Sequence, residues 1–177
     1  MAGAGTTRDV IVECKNAGSI ITDTERYTMC YCGVGGIVGN FGSLSIMRDC
    51  LNVGSVKNEK SSDEQYNPRM GSGLCGSFET PNLKNCVSIG ATDNAVSGMK
   101  ITSSYLNSWS YSDGKRFENI YYGPDSGDIW IWADSPVEVE GTNKISDITD
   151  KSVYKGFDFD NVWIMTENGP DLRRIPK

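Results

Sequence analysis

The chain has 177 residues, 23 acidic against 17 basic side chains for a net charge of −6, and no histidine. Lysine and arginine form no run longer than two, so the cationic stripe that neutralises nucleic-acid phosphates is missing and no nucleic-acid partner is expected. Without histidine, Ser-His-Asp, Cys-His and His-Glu-x-x-His sites cannot form within this chain. No cofactor is expected: GVGG at Gly33 to Gly36 lacks the lysine and helix of a phosphate loop.

No apolar run reaches 18 residues and no charged-then-apolar leader is present, which predicts no membrane insertion by this segment. The opening MAGAG reads as an initiator placed on an excised segment, so that a leader and an anchor are expected outside it. Twenty glycines and short runs rich in Val, Ile, Tyr and Thr predict strands joined by tight turns.

Taken in chain order, the first element is CKNAG from Cys14 to Gly18, and it returns as CLNVG at Cys50 to Gly54 and CVSIG at Cys86 to Gly90. The interval is 36 residues each time, the signature of a repeat array. NIYYG from Asn119 to Gly123 reads as a weaker fourth copy at an interval of 33, with Asn119 in the cysteine position. Asn16 and Asn52, replaced by Ser88, stand two residues before the glycine, where an amide can bond the turn backbone.

In stacked strands, equivalent residues lie about 4.8 Å apart with side chains parallel, so Cys14, Cys50 and Cys86 read as a ladder of small buried hydrophobes. Cys30 and Cys32 have no counterparts, and a local disulfide there stays open; one intervening residue and no histidine make a zinc site a poor reading. No metal is expected. Between the cysteine corners comes a second motif, GIVG at Gly36 to Gly39 and GLCG at Gly73 to Gly76, which precedes the next cysteine by 11 and 10 residues; Gly3 precedes Cys14 by 11.

Two stretches carry candidate binding residues. Lys57 to Arg69 is charged and polar, with Tyr66 as its large contact residue. Tyr105, Trp109, Tyr111, Tyr121, Tyr122, Trp130 and Trp132 then fall within 28 residues. In DIWIWAD, alternation puts Ile129 and Ile131 on one side and Trp130 and Trp132 on the other; isoleucines facing the core leave both tryptophans for solvent or a partner. The competing reading makes these aromatics the cover between array and C-terminus. Asp158 and Asp160 flank Phe159 and read as solvated or turn-bonding acids, with Phe157, Phe159, Val162, Trp163 and Leu172 as apolar cap residues over the array's open end.

The Gly-x-x-Gly pieces resemble the GLUG motif of large bacterial surface and secreted proteins, found in adhesin-like proteins and immunoglobulin A peptidases. DKSVYKGFDFDNVW from Asp150 to Trp163, with the later NGPDLRRI, is similar to the segment that closes such arrays. Ile37 and Cys75 depart from the motif. The motif is structural and names no activity.

The resulting expectation is a single all-β domain over 1–177, a right-handed parallel β-helix or solenoid of three to four coils, with a repeat array at 1–127 and a C-terminal capping region at 128–177. The expected role is a non-enzymatic, extracellular or cell-surface, adhesin-like module that binds a host or neighbouring protein. The resemblance points to an immunoglobulin or another mucosal protein. A glycan-binding module, a passive stalk and a carbohydrate-active enzyme built on paired acids are the other readings.

Overall fold

The computed structural model of the chain describes residues 9–22, 34–39, 45–58, 71–76, 82–93, 95, 117–129 and 138–173. Among these the chain is mostly β with no α-helix. It opens with β1 (Val10–Val12), β2 (Lys15–Asn16) and β3 (Ile20–Thr22), followed by β4 (Val34–Gly35). β5 (Ile46–Arg48), β6 (Leu51–Asn52) and β7 (Val56–Asn58) repeat the first three, and β8 (Gly71–Ser72) repeats the fourth. β9 (Asn82–Ser88), β10 (Phe117–Tyr122) and β11 (Thr142–Lys144) follow. A short 3-10 helix at Lys151–Val153 leads to the hairpin of β12 (Trp163–Thr166) and β13 (Gly169–Leu172).

The long sheet is parallel throughout, in the order β1-β5-β9-β10-β11, with β2, β6 and β9 continuing it in register. Val10 pairs with Ile46 and Ile46 with Asn82, steps of 36 residues. β3 pairs with β7 in the same step, and bridges from Val56 to Thr92 and from Thr92 to Ser126 extend that column. The chain therefore stacks on itself in tiers. Tier one holds β1 to β3, tier two β5 to β7, tier three β9 to Thr92, and tier four β10 to Ser126. A further short strand, β3 or β7, follows the glycine corner in tiers one and two.

The fourth copy needs a correction of one position. Ile120, not Asn119, pairs with Cys86, and Gly123 lies against Ile89 instead of Gly90. The interval at this step is 34, so Asn119 falls on Asn85. That position has its own backbone rule. Glu13, Asp49, Asn85 and Asn119 have φ of 54°, 53°, 50° and 56°, the left-handed region that Asn and Asp tolerate better than most residues.

The inserted left-handed residue shifts the phase of the strand, as a bulge does. Met47, Leu83 and Phe117 face the core before it; Cys50, Cys86 and Ile120, three residues on, face the same core after it. Without it, simple alternation would turn those three outward. The side chains at the shift form their own ladder, Asn119 donating to Asn85 at 3.0 Å and Asn85 to Asp49 at 3.4 Å.

At the corner, Asn16 Nδ2 donates to Asn52 Oδ1 at 2.8 Å and Asn52 Nδ2 reaches Ser88 Oγ at 3.5 Å. Each amide also holds its own turn, Asn16 on the Gly18 carbonyl and Asn52 on the Gly54 carbonyl. Close approach explains the glycines here. A Cβ on Gly54 would collide with the Gly18 carbonyl, and one on Gly90 with the Gly54 carbonyl. The two sequence motifs meet at this point: a Cβ on Gly36 would stand 2.7 Å from Asn52 Oδ1, and one on Gly73 would strike Ser88.

Part of the C-terminal segment packs along the face of the long sheet. Tyr154, Phe157 and Trp163, with Phe159, Val162 and Leu172, pack on Leu51, Val87 and Tyr121, a row on the outer face of the long sheet. That row is apolar, so the face needs cover along its length. The segment crosses all the tiers: Lys15 Nζ meets the Asp171 carboxylate at 2.8 Å in tier one, while Tyr121 OH accepts from Lys155 N at 2.9 Å in tier four.

Candidate binding face

Four parallel tiers place the variable segments. Thr22 and Asn58, where the chain leaves the described stack for 23–33 and 59–70, are register partners. Asp93 N bonds the Val56 carbonyl at 3.3 Å, Gly127 N bonds the Thr92 carbonyl at 2.9 Å, and Ala95 N bonds the Asp128 carbonyl at 3.3 Å. The segments 96–116 and 130–137 thus depart from the same column. Val34 and Gly71, where 23–33 and 59–70 return, are also paired.

Six of the eight candidate residues belong to these segments, Tyr66 in 59–70, Tyr105, Trp109 and Tyr111 in 96–116, and Trp130 and Trp132 in 130–137. All six lie outside the described residues, as do Cys30, Cys32 and Ile131. Ile129 is buried in the core cluster that holds Leu74, Cys75 and Ala95.

The remaining two are adjacent and differ in environment. Tyr121 is buried edge-on to Tyr154 and Phe157, with its hydroxyl on the backbone of Lys155. Burial raises its pKa, and it offers no contact surface. Tyr122 is half-buried against the core, and burial raises its pKa while the Lys144 charge pulls it down. Lys144 stands 6.0 Å from that ring and 2.9 Å from the Asp128 carboxylate, which raises the lysine pKa.

The thiols form the expected row in part. Cys50, Cys75 and Cys86 are buried, and Cys14 at the head of the row is exposed. Burial and the Cys50 thiol raise Cys86 well above the ordinary thiol value; the hydrogen bond from Cys86 is the main cause that lowers Cys50, against its own burial. Among the described residues no group of His, Cys, Asp or Glu is arranged to hold a metal ion.

Asp158 is a turn residue. Its carboxylate accepts from Asp160 N, Asn161 N and Asn161 Nδ2 at 2.9–3.0 Å, bonds that lower its pKa, while Asp160 points to solvent. The Trp163 indole bond to Asp49, by contrast, carries no local sequence signal; it joins residues 114 positions apart.

Comparison of the chain with protein-family models, with curated proteins and with solved structures finds no match.

Proposed function

We propose that the chain is a non-enzymatic, adhesin-like binding module of a bacterial cell-surface or secreted protein, built as a right-handed parallel β-solenoid. It recognises a host protein of the mucosal class that includes immunoglobulins. One observation carries the reading: the segments that hold Tyr66, Tyr105, Trp109, Tyr111, Trp130 and Trp132 all leave a stacked parallel frame from one column. A rigid frame that gathers variable, aromatic-rich segments along one side suits recognition, because those segments change without disturbing the stack. Tyrosine and tryptophan supply large contact area at small entropic cost and dominate binding energy where they occur at interfaces. The GLUG-like motifs support the same assignment and the extracellular location.

The test is binding of the purified chain to a panel of mucosal proteins, immunoglobulins included, each intact and enzymatically deglycosylated. Saturable binding that survives deglycosylation and weakens in Trp130→Ala or Trp132→Ala supports protein recognition. Competition by free sugars, with loss on deglycosylation, moves the assignment to glycans. No binding at micromolar concentration leaves the stack as a stalk.

A further inference from the structure

Tier one carries the three corner residues of an interior tier and uses one of them, Asn16, as the interior tiers do. In tiers two and three, Cys50 and Cys86 are buried. Asn52 lies between Asn16 and Ser88, and Gly54 and Gly90 each lie against a glycine carbonyl of the tier before. Tier one repeats the set as Cys14, Asn16 and Gly18. There Cys14 is exposed, and the nearest atom to a Cβ built on Gly18 is its own neighbour Asn16 Oδ1, at 3.7 Å. Gly18 does not have a positive φ either. Neither turn geometry nor crowding requires glycine at this place within the described residues. Along the same margin, no described strand pairs with the outer edge of β1, β2 or β3.

The corner column also has a direction. Gly18 N donates to Asn16 Oδ1 at 3.0 Å, which fixes the amide so that Nδ2 points onward to Asn52. Asn52 Nδ2 in turn donates toward Ser88. From tier one to tier three each corner side chain thus donates to the one after it, and the head of this column, Asn16 Oδ1, is an acceptor that takes the Gly18 N–H and has a second lone pair left. Two heads brought together by a twofold axis would oppose acceptor to acceptor. A parallel tier with its own corner amide supplies a donor there, and its corner carbonyl fills the space over Gly18. Stacking order follows sequence order in every step from tier one to tier four.

We infer that the edge formed by β1, β2 and β3 is an interface for one further tier of this same repeat, carried N-terminal to residue 9 in a longer polypeptide and added in parallel at the 36-residue register. The frame is then longer than the described tiers, and the column from which the variable segments leave extends with it. The inference rests on the corner geometry alone and stands whether or not the binding reading holds.

The test adds the tier. A copy of residues 45–80 placed directly before residue 9, in place of 1–8, puts a known tier in register, since 45 and 81 occupy equivalent places. Thiol alkylation mapped by mass spectrometry reads the edge. Cys14 reacts in the original chain, and in the extended chain its rate falls to that of Cys50. Gly18→Ala leaves the melting temperature of the original chain unchanged and lowers that of the extended chain as Gly54→Ala does. Equal Cys14 reactivity in both chains overturns the inference, as does loss of protection at Cys50 and Cys86 in the extended chain or a silent Gly18→Ala in both. A dimer of the original chain with Cys14 already protected also overturns it, by assigning the edge to a second copy.

Discussion

The indole nitrogen of Trp163 donates to the carboxylate of Asp49 at 3.3 Å, across 114 positions of sequence. Asp49 is the left-handed residue at which the second tier changes phase, and Trp163 is the fully buried centre of the C-terminal cover. One bond therefore joins the device that keeps Cys50 inward to the segment that covers Leu51 beside it. Phe157 lies 4.5 Å from the Trp163 ring, and Phe157 in turn touches Tyr121, so the same aromatic chain spans tier two to tier four.

Trp163→Ala is expected to cost about 3–5 kcal/mol, the range for deleting a large buried aromatic. Trp163→Phe keeps most of the packing and loses the indole donor. Paired with Asp49→Ala in a double-mutant cycle, it should give a coupling energy of about 1 kcal/mol, measured by urea unfolding. A coupling of zero would mean that the bond contributes nothing and that packing alone holds the cover.

Gly54→Ala and Gly90→Ala each drive a methyl group into a backbone carbonyl of the tier before. Backbone on both sides leaves little room to yield, so each should cost about 1–3 kcal/mol or more. In a chain of this size that lowers the melting temperature by about 2–4 °C per kcal/mol. Gly18→Ala, with only Asn16 Oδ1 at 3.7 Å, should be near neutral in this chain. Equal shifts at all three positions in a thermal melt would count against close approach as the reason for the corner glycines.

The array was legible because one physical demand recurs at a fixed interval. Each corner needs a small residue where carbonyls approach, so Gly18, Gly54 and Gly90 repeat in step with the cysteines. The fourth tier was misread by one position because its interval shortens to 34, and Asn119 looks like a corner residue when it occupies the left-handed position ahead of it. A signal for that position existed: Glu13, Asp49, Asn85 and Asn119 are all acids or amides. The C-terminal cover had no such signal. Lys15 meets Asp171 across 156 positions and Trp163 meets Asp49 across 114, and nothing periodic announces either pair. Tyr121 entered the binding candidates through the density of aromatics between Tyr105 and Trp132; the cover that buries it comes from Tyr154 and Phe157.

Stability should fall at both ends of the pH scale. Asp147, bonded by Thr149 side chain and backbone, and Asp158, bonded by Asn161, have pKa values below the ordinary 3.8. A depressed folded value favours the folded state above the unfolded pKa, and that stability is lost as pH falls through the folded value. At the other end, burial raises Tyr154, whose hydroxyl donates to Ile148 O at 2.8 Å, together with Tyr121 and Tyr122. Here the folded state holds the proton more tightly, so the contribution is complete below the unfolded value of 10.0 and declines above it. Tyr154→Phe should flatten the alkaline limb of urea midpoint against pH, and Asp158→Asn the acid limb. An unchanged curve in either variant removes that group from the account.

Asn52 offers the sharpest test of the corner column, because it is fully buried and bonded on both sides, accepting from Asn16 and donating to the Gly54 carbonyl and Ser88. Asn52→Ala takes the amide donor from the Gly54 carbonyl and leaves Asn16 Nδ2 with the Gly18 carbonyl alone, and should cost about 1–3 kcal/mol. Asn52→Ser should cost less, since Ser88 fills the equivalent place one tier on. Asn52→Asp is nearly isosteric yet removes the donor and buries a charge, so at neutral pH it should be the worst of the three. Its new carboxyl would have a raised folded pKa, and by linkage the deficit should shrink as pH falls toward the ordinary carboxylate range, opposite in sign to the acid response of the parent chain. Urea midpoints at pH 7 and pH 5 separate the cases: recovery of Asn52→Asp at the lower pH assigns the column to directional hydrogen bonding. Equal losses for all three variants at both pH values would assign it to volume alone.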